Sequence, residues 1–263
     1  MKNNTKKYDY ILRTCDADLK AYNDFQWPAS GPVEAPDWDP KPECKNGLHG
    51  LLRGEGNGSL LNFSTEAKWL IVEIEKGSSI KIGEDKVKFP RGSVVAVGDQ
   101  KAITDIMQSI YPDAAVVGAV LTGGYGAVMA GGGYRATLTG GNSAILTGGY
   151  RANLTGGDSA ILTGGYEATM TGGDYATMTG GYRAAMTGGD YAAMTGGRGA
   201  IMTGGYRAVM TGGDEAVMTG GHGAVFIFRT DKATLVARVG ENGISPGKKY
   251  AVLNGKIVEV QNG

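Results

Sequence analysis

The chain has 263 residues, of which 41% are hydrophobic, so it is long enough for one or two domains with a core. Its 26 lysines and arginines balance 26 aspartates and glutamates. A nucleic-acid-binding or polybasic membrane-binding protein needs a basic excess, so both classes are disfavoured. No run of 18 apolar residues occurs, which predicts no membrane-spanning helix.

The first residues predict a flexible tail over 1–7, because they are polar and carry no apolar stretch. A secretory signal needs such a stretch behind its basic start. We therefore expect a cytoplasmic protein, with a signal-independent export route as the alternative.

Residues 8–98 have an ordinary composition and predict a small α+β module. Four segments have the apolar and β-branched pattern of strands: Tyr8–Thr14, Trp69–Ile74, Ile80–Ile82 and Val94–Val97. Residues 23–46 hold five prolines and two tryptophans, which indicates a structured loop in place of a helix.

A distinctive motif in this module is Cys44-Lys45-Asn46-Gly47-Leu48-His49-Gly50, which resembles a motif of an uncharacterised domain of phage and bacterial proteins. The module also resembles ADP-ribosyltransferases, because Arg13-Thr14 ends a strand and a Gly-apolar-His turn follows later. That resemblance implies that Arg13 and His49 hold NAD and that a late glutamate, Glu73, activates the acceptor. The alternative for His49 is a turn histidine bonded to backbone carbonyls.

The two cysteines, Cys15 and Cys44, allow three interpretations. They can pair, they can share a zinc ion with His49, or they can be two unrelated buried thiols. Zinc normally takes four ligands, and the spacing is not that of a zinc ribbon. We therefore expect unrelated thiols, and neither a metal nor another cofactor.

Residues 99–112 predict a helix that covers the first coil of the repeats that follow. Ile103, Ile106, Met107 and Ile110 have the spacing of one helical face, and Asp99 is placed to cap it. Pro112 ends the helix, and we expect the first strand of the repeats at Ala114–Leu121.

A glycine-rich repeat dominates residues 113–228. Its unit is Thr-Gly-Gly-(Tyr/Asp)-x-Ala-x-(Met/Leu), and a threonine recurs every eight residues at Thr139, Thr147, Thr155, Thr163, Thr171, Thr179, Thr187, Thr195, Thr203, Thr211 and Thr219. Two adjacent glycines in every unit disfavour a helix, because each costs about 1 kcal/mol relative to alanine. The pattern predicts a mainly β fold, a parallel β-solenoid with 16-residue coils of two halves, in which the Gly-Gly pairs form corners with positive φ.

Alternation along each short strand assigns the faces of the solenoid. The alanine and the Met/Leu of each unit point inward, and the threonine and the residue before the Met/Leu point outward. Coils about 4.7–4.9 Å apart then give a stack of roughly seven coils and about 30 Å. A calcium-binding nonapeptide solenoid is a competitor, but it has a period of nine.

Corner residues alternate between the two halves of a coil. One corner carries Tyr134, Tyr150, Tyr166 and Tyr182, and the other carries Asn142, Asp158, Asp174 and Asp190. Stacked aspartates at this spacing repel by about 1 kcal/mol in a water-like dielectric. The arginines that follow the tyrosines lie half a coil from the aspartates, so the two charge columns cannot easily meet within one copy, whereas two copies can bring them together.

The stretch Gly-Tyr-Arg-Ala-Thr-Leu-Thr-Gly-Gly-Asn-Ser-Ala-Ile-Leu-Thr-Gly, residues 133–148, resembles the 16-residue repeat of bacterial ice nucleation proteins. The shared features are the period, the tyrosine column, the Thr-x-Thr strand and an acidic second half, over residues 118–226. This resemblance implies a solenoid whose threonine array orders water and whose tyrosine edge serves association. A full Thr-x-Thr occurs only at Thr137/Thr139, Thr169/Thr171 and Thr177/Thr179, and the array is short.

Residues 229–263 predict a β cap that closes the solenoid. Thr234–Val239 and Tyr250–Val260 have strand patterns, and Asn254-Gly255 is a strong hairpin signal. Lysine returns here after its absence from the repeat, as is usual on strand edges that avoid aggregation.

Three functional hypotheses follow. The first is a non-enzymatic repeat protein whose ladder surfaces serve self-association or ligand binding, with copies joined through the tyrosine edge. The second is an ice-binding or ice-nucleation-like protein that uses its threonine ladders on ice or ordered water. The third is an ADP-ribosyltransferase-like enzyme on a solenoid stalk.

Overall fold

The structure, a computed structural model, describes residues 7–83 and 86–261. It divides into two compact units, Met1–Val120 and Leu121–Gly263. The expected flexible tail over 1–7 lies outside the described residues except for Lys7. The predicted fold class is confirmed: a mainly β chain with an N-terminal β unit that carries one helix, a parallel β-solenoid and C-terminal strand pairs.

The N-terminal unit is built on a seven-stranded antiparallel sheet with the order β2-β7-β4-β1-β3-β6-β5. Its strands are β1 (Tyr8–Cys15), β2 (Gly31–Glu34), β3 (Leu48–Leu52), β4 (Lys68–Glu75), β5 (Ile80–Ile82), β6 (Lys86–Phe89) and β7 (Arg91–Gly98). All four predicted strands are present, and β2, β3 and β6 are additional. The region predicted as a structured loop holds β2, and a short turn at Tyr22–Asp24, in which Asn23 has positive φ, overlaps its start.

One face of this sheet packs against helix α1 (Gln100–Ile110), which contacts β4 and β7. The predicted cap is confirmed, because the Asp99 carboxylate accepts the Ala102 N–H at 2.8 Å. Ile103 and Met107 bury the apolar side of the helix. The predicted first strand at Ala114–Leu121 is wrong: Val117 N–H donates to the Gly54 carbonyl instead, and the strand is shorter and later.

The solenoid stacks two parallel sheets, one strand per half coil. Its first sheet contains β8 (Val120–Thr122), β10 (Thr137–Thr139), β12 (Asn153–Thr155), β14 (Thr169–Thr171), β16 (Ala185–Thr187), β18 (Ile201–Gly204) and β20 (Val217–Gly220). Its second sheet contains β9 (Val128–Gly132), β11 (Ile145–Gly148), β13 (Ile161–Gly164), β15 (Thr177–Gly180), β17 (Ala193–Gly196), β19 (Val209–Gly212) and β21 (Val225–Arg229).

From Thr137 onward the register of the parallel strands is strict, because each paired residue lies opposite the residue 16 positions later, as Leu154 does with Met170. The predicted faces are confirmed by burial: the alanine column from Ala136 to Ala224 and the Leu/Met column from Leu138 to Met218 are buried. The core is therefore a thin layer of small and long unbranched side chains that interdigitate. One irregularity, a register shift between Thr147 and Gly148, accommodates the extra glycine of the Gly131–Gly133 run.

The corners differ from the prediction in which residue takes positive φ. The Gly-Gly pairs do not have it; the residue after the corner Tyr or Asp does, for example Arg151 (φ 56°) and Tyr175 (φ 59°). The glycines are needed for space, since a Cβ on Gly165 would lie 2.9 Å from the carbonyl carbon of Gly149 in the preceding coil. Close stacking of backbones, and not backbone handedness, is what the pairs provide.

The predicted C-terminal hairpin is confirmed. Strand β22 (Thr234–Arg238) pairs antiparallel with β21, and β23 (Lys249–Leu253) pairs antiparallel with β20 and with β24 (Lys256–Glu259). Asn254 and Gly255 both have positive φ, at 51° and 74°, as a two-residue hairpin turn requires. Each parallel sheet thus ends in antiparallel strands. Among the described residues, none of the helices has the length and apolar character needed to cross a bilayer.

Candidate functional site

Threonine columns run along both faces of the solenoid. We define the first face by the outward residues of the first sheet, where the column is Thr139, Thr155, Thr171, Thr187, Thr203 and Thr219. The second face belongs to the second sheet, where the column is Thr147, Thr163, Thr179, Thr195 and Thr211. On the second face Ala130 precedes the column and Ile227 follows it. All eleven threonines are exposed or half-buried, so their hydroxyl and methyl groups form regular rows at the surface.

The column beside the threonines differs between the two faces. On the first face it reads Thr137, Asn153, Thr169, Ala185, Ile201 and Val217. On the second face it is more aliphatic, with Val128, Ile145, Ile161 and Val209 exposed by 41 to 70%. The first face therefore has the longer threonine row and the more polar flank.

We name one corner the Tyr edge, defined by Tyr134, Tyr150, Tyr166 and Tyr182 and the residue after each. The rings stack face to face, with centroids 5.2, 4.9 and 5.0 Å apart from the first to the fourth. Tyr150 and Tyr166 remain 38 and 39% exposed, so the stack shows its ring edges to solvent. Each ring face contacts the ring of a neighbouring coil, and this packing restricts the rotation of the tyrosine side chains.

Charged side chains pair along the Tyr edge and along the same corner of the later coils. Arg151 Nε donates to Glu167 Oε2 at 2.7 Å, and Arg198 forms an ion pair with Glu215. The Arg151 guanidinium also lies 5.2 Å from the centroid of the Tyr150 ring. The Glu167 and Glu215 partners were missed in the sequence, although they occupy the arginine position of the repeat.

We name the opposite corner the Asp edge, defined by Asn142, Asp158, Asp174 and Asp190 and the residue after each. Each Oδ1 accepts the backbone N–H of the corner residue 16 positions later; the distances are 3.1, 3.0, 2.7 and 2.7 Å, ending at Tyr206. The expected repulsion between stacked aspartates is thus offset by charge-assisted hydrogen bonds. This ladder was missed, and Asn at the first position was its signal, because an amide oxygen accepts in the same way.

The Asp edge also carries aromatic side chains that the sequence analysis did not single out. Tyr175 and Tyr191 follow the aspartates and stack with centroids 5.1 Å apart. Tyr206 continues the column edge-on to Tyr191, and the His222 ring lies parallel to that of Tyr206. The repeated Asp-Tyr pair at 174–175 and 190–191 was the available signal.

The structure brings Arg13 and His49 together but not Glu73. Arg13 Nη1 donates to the His49 carbonyl oxygen at 2.5 Å, and its guanidinium lies 4.4 Å from the Trp27 ring centroid. Glu73 accepts the Tyr10 hydroxyl at 2.9 Å. Tyr10 and Arg13 lie three positions apart on β1 and so face opposite sides of the sheet. Glu73 pairs with Tyr10, so Arg13 and Glu73 do not share a site.

His49 does not lie in a turn, as one interpretation expected, but in strand β3, opposite Lys88 of β6. Burial, reinforced by the charges of Lys86, Arg13 and Lys88, lowers its pKa to about 4, so the ring is neutral at pH 7. Its Nε2 is buried with no hydrogen-bond partner among the described residues.

Burial also shifts the pKa values of two residues of β1, one on each side of the sheet. Burial lowers the pKa of the Arg13 guanidinium. Burial, together with the hydrogen bond and charge of Glu73, raises the pKa of Tyr10 to about 12.

The two cysteines are free thiols: Cys15 is buried and Cys44 is exposed. Cys44 Sγ accepts from Lys86 Nζ at 2.8 Å. In the part of the chain that the structure describes, no three His, Cys, Asp or Glu side chains gather as metal ligands would.

Comparison with known proteins gives two results. A family model described as a domain of unknown function (DUF7666) matches residues 10–106. The chain is also similar to ice nucleation proteins: 34% identical over 102 residues to that of Xanthomonas campestris pv. translucens, 36% over 106 residues to that of Pseudomonas syringae, and 38% over 101 residues to InaU of Pantoea ananas.

These matches cover 38, 40 and 38% of this chain but only 6, 9 and 10% of the three relatives. No solved structure matches the chain. The chain is therefore a β-solenoid repeat protein that is similar, over part of its length, to a small part of bacterial ice nucleation proteins.

Proposed function

We propose that this chain is a non-enzymatic ice-binding protein whose first face binds ice through its threonine column. The observation that carries the proposal is the unbroken row of six threonines from Thr139 to Thr219, one per coil, held in strict register. A rigid row of hydroxyls and methyls can order a layer of water with little further loss of side-chain entropy, because the row is already ordered. The similarity to ice nucleation proteins supports this choice of ligand.

The first face is favoured over the second for two reasons. Its threonine row has six members and the other has five, bounded by Ala130 and Ile227. Its flank is also more polar, since Thr137 and Thr169 complete two Thr-x-Thr strands and Asn153 lies between them. A stack of seven coils is short, so we expect one copy to bind and shape ice crystals without efficient nucleation.

Ice recrystallisation and crystal shaping by the full chain test the proposal. The variant Thr155→Lys plus Thr187→Lys places two bulky charges on alternate coils of the first face. The matched control, Thr163→Lys plus Thr195→Lys, places the same charges on the second face. Circular dichroism and thermal unfolding establish that both variants fold.

Loss of activity only in the first-face variant supports the proposal. Loss only in the control variant overturns the choice of face. Absence of activity in the parent chain overturns ice binding altogether.

Self-association through the Tyr edge is the second candidate function. It is favoured by the four stacked rings, whose spacing of 4.9 to 5.2 Å makes a continuous aromatic ridge that is partly exposed. Aromatic ridges bury much area at low entropic cost when they meet a partner. The variant Tyr150→Ser plus Tyr166→Ser removes the centre of the ridge. An unchanged molar mass by sedimentation would contradict this function, and a fall to the monomer would support it.

We do not extend the transferase hypothesis to this chain. Arg13 and Glu73 lie on opposite sides of the N-terminal sheet, whereas the reaction needs both groups beside one NAD molecule.

A further inference from the structure

We propose that copies of this chain associate side by side, with the Tyr edge of one copy docked on the Asp edge of the next. The proposal deepens the self-association function, since it names the surface that the Tyr edge binds. It does not depend on ice binding.

Opposite charge on the two edges is the first argument. Over its four coils the Tyr edge carries Arg135, Arg151 and Arg183 against a single acidic residue, Glu167. Between residues 142 and 191 the Asp edge carries Asp158, Asp174 and Asp190 and no basic residue. Two Tyr edges would bring like charges together, whereas a Tyr edge and an Asp edge attract.

The aspartate side chains of the Asp edge are already ordered, and each has a carboxylate oxygen available to a second copy. Each uses Oδ1 for the backbone N–H of the next coil, which fixes the side chain and leaves Oδ2 as an acceptor. Within residues 7–83 and 86–261, none of these three carboxylates forms an ion pair. A guanidinium from outside the copy can therefore pair with Oδ2 without a further cost for ordering the aspartate.

The two edges have the same spacing between consecutive residues, because both follow the repeat of the solenoid. Corner residues recur once per coil on both edges, so both columns have the same rise. When one arginine of a translated copy meets one aspartate, the neighbouring coils are brought into register as well. A single exposed ion pair contributes little, but two in one fixed row act together, as Arg151 and Arg183 do when they meet Asp158 and Asp190. In this register Glu167 lies opposite Asp174 and keeps its own partner, Arg151. Tyr175 and Tyr191 add exposed aromatic area to the Asp edge, against which the Tyr edge packs.

The symmetry of this contact has a definite consequence. A contact between two different surfaces related by translation does not close, so it produces chains of copies and not only dimers. Neighbours share one orientation, and their first faces then lie side by side as one wider surface.

Two variants with one damaged edge each test the proposal. The Asp-edge variant is Asp158→Asn, Asp174→Asn and Asp190→Asn, which keeps an oxygen acceptor for the backbone ladder, as Asn142 already does. The Tyr-edge variant is Arg151→Glu plus Arg183→Glu, and glutamate is already present at the same left-handed position in Glu167 and Glu215. Sedimentation velocity of the full chain at low and high salt gives the assembly state.

The parent chain is expected to form assemblies larger than dimers at low salt that dissociate in about 1 M salt, where charges are screened beyond about 3 Å. Each variant alone is expected to be monomeric. Their equimolar mixture is expected to give dimers and nothing larger, because each variant keeps one intact edge.

Two outcomes overturn the proposal. A dimer formed by the Asp-edge variant alone shows that two Tyr edges meet each other, in which case self-association holds and this pairing fails. A parent chain that is monomeric at low salt overturns both. Ice activity is measured separately, so its presence or absence does not decide either result.

Discussion

Asp174 Oδ1 accepts the backbone N–H of Asp190, the corresponding corner residue one coil later, at 2.7 Å. The same bond joins Asp158 to Asp174 at 3.0 Å. A column of like charges is therefore also a column of hydrogen bonds that join consecutive coils. The side chain supplies a link between coils at the corner, where the strands do not reach.

Asp174→Asn and Asp174→Ala are expected to change the free energy of unfolding differently. Asparagine keeps the acceptor and removes the repulsion from Asp158 and Asp190, so the free energy of unfolding should stay equal or rise. Alanine removes the acceptor of the Asp190 N–H and should lower it by about 0.5–1.5 kcal/mol. Urea denaturation of both variants measures this. Equal losses would show that the charge, and not the acceptor, is what matters.

Gly165→Ala should destabilise the solenoid more than Gly199→Ala. A Cβ on Gly165 lies 2.9 to 3.2 Å from backbone atoms of Gly149 and Tyr150, which cannot move without separating the coils. A Cβ on Gly199 meets only the flexible Arg183 Cγ, at 3.2 Å, and the cost is that of φ +68°, about 1–2 kcal/mol. Thermal unfolding compares the two variants. A larger loss for Gly199→Ala would mean that backbone handedness limits the corners.

His49 makes the stability of the N-terminal unit depend on pH. Its folded pKa of about 4 lies below the ordinary value of 6.5, so the unfolded chain takes up a proton first. The contribution of His49 to the free energy of unfolding is therefore fully present above pH 6.5, and it is lost as the pH falls from 6.5 towards 4. The charges that face it are those of Lys86, Arg13, Lys88 and Asp37.

Urea titrations between pH 4 and 8 follow the loss, and His49→Gln should flatten the profile. His222→Gln, in the solenoid, is the matched control and should leave the slope in place. An unchanged slope in the His49 variant would show that another group controls the pH dependence.

Met186 is expected to tolerate leucine but not alanine. It is buried in the inward column that Leu138 and Leu154 begin, so Leu fits the same space. Leucine should cost less than about 1.5 kcal/mol, because the volume is conserved. Alanine leaves a cavity between coils and should cost about 2–5 kcal/mol. Similar stability of both variants in urea denaturation would indicate a core that collapses around the gap.

The solenoid could be predicted from sequence because the same pattern of inward and outward residues recurs every eight residues. Alternation of Ala and Met/Leu gave the buried face, and the Asn254-Gly255 turn gave the cap. Within one coil the signal is weak, but in-register stacking turns each position into a column. The N-terminal strands β1 and β4 could be predicted for a different reason, which is that each contains a run of apolar and β-branched residues within a single segment.

Features that depend on contacts between distant residues were not predicted. His49 was assigned to a turn because Gly47 and Gly50 surround it, whereas pairing with β6 makes the segment a strand. The Gly-Gly pairs were explained by handedness, because the spacing between coils is not visible in one unit. The pairing of Arg151 with Glu167 likewise depends on their becoming neighbours only after the coil closes. The opposite faces of Arg13 and Glu73 follow from strand register, which the sequence did not establish.

The 16-residue period of the coils also has a consequence for the gene. Duplication or deletion of sixteen codons within residues 139–220 adds or removes one whole coil and keeps the inward and the threonine columns in register. Strands β22 and β23 still end the two parallel sheets whatever number of coils precedes them. A gene with one coil more or fewer therefore still encodes paired strands, and each threonine row becomes longer or shorter by one residue.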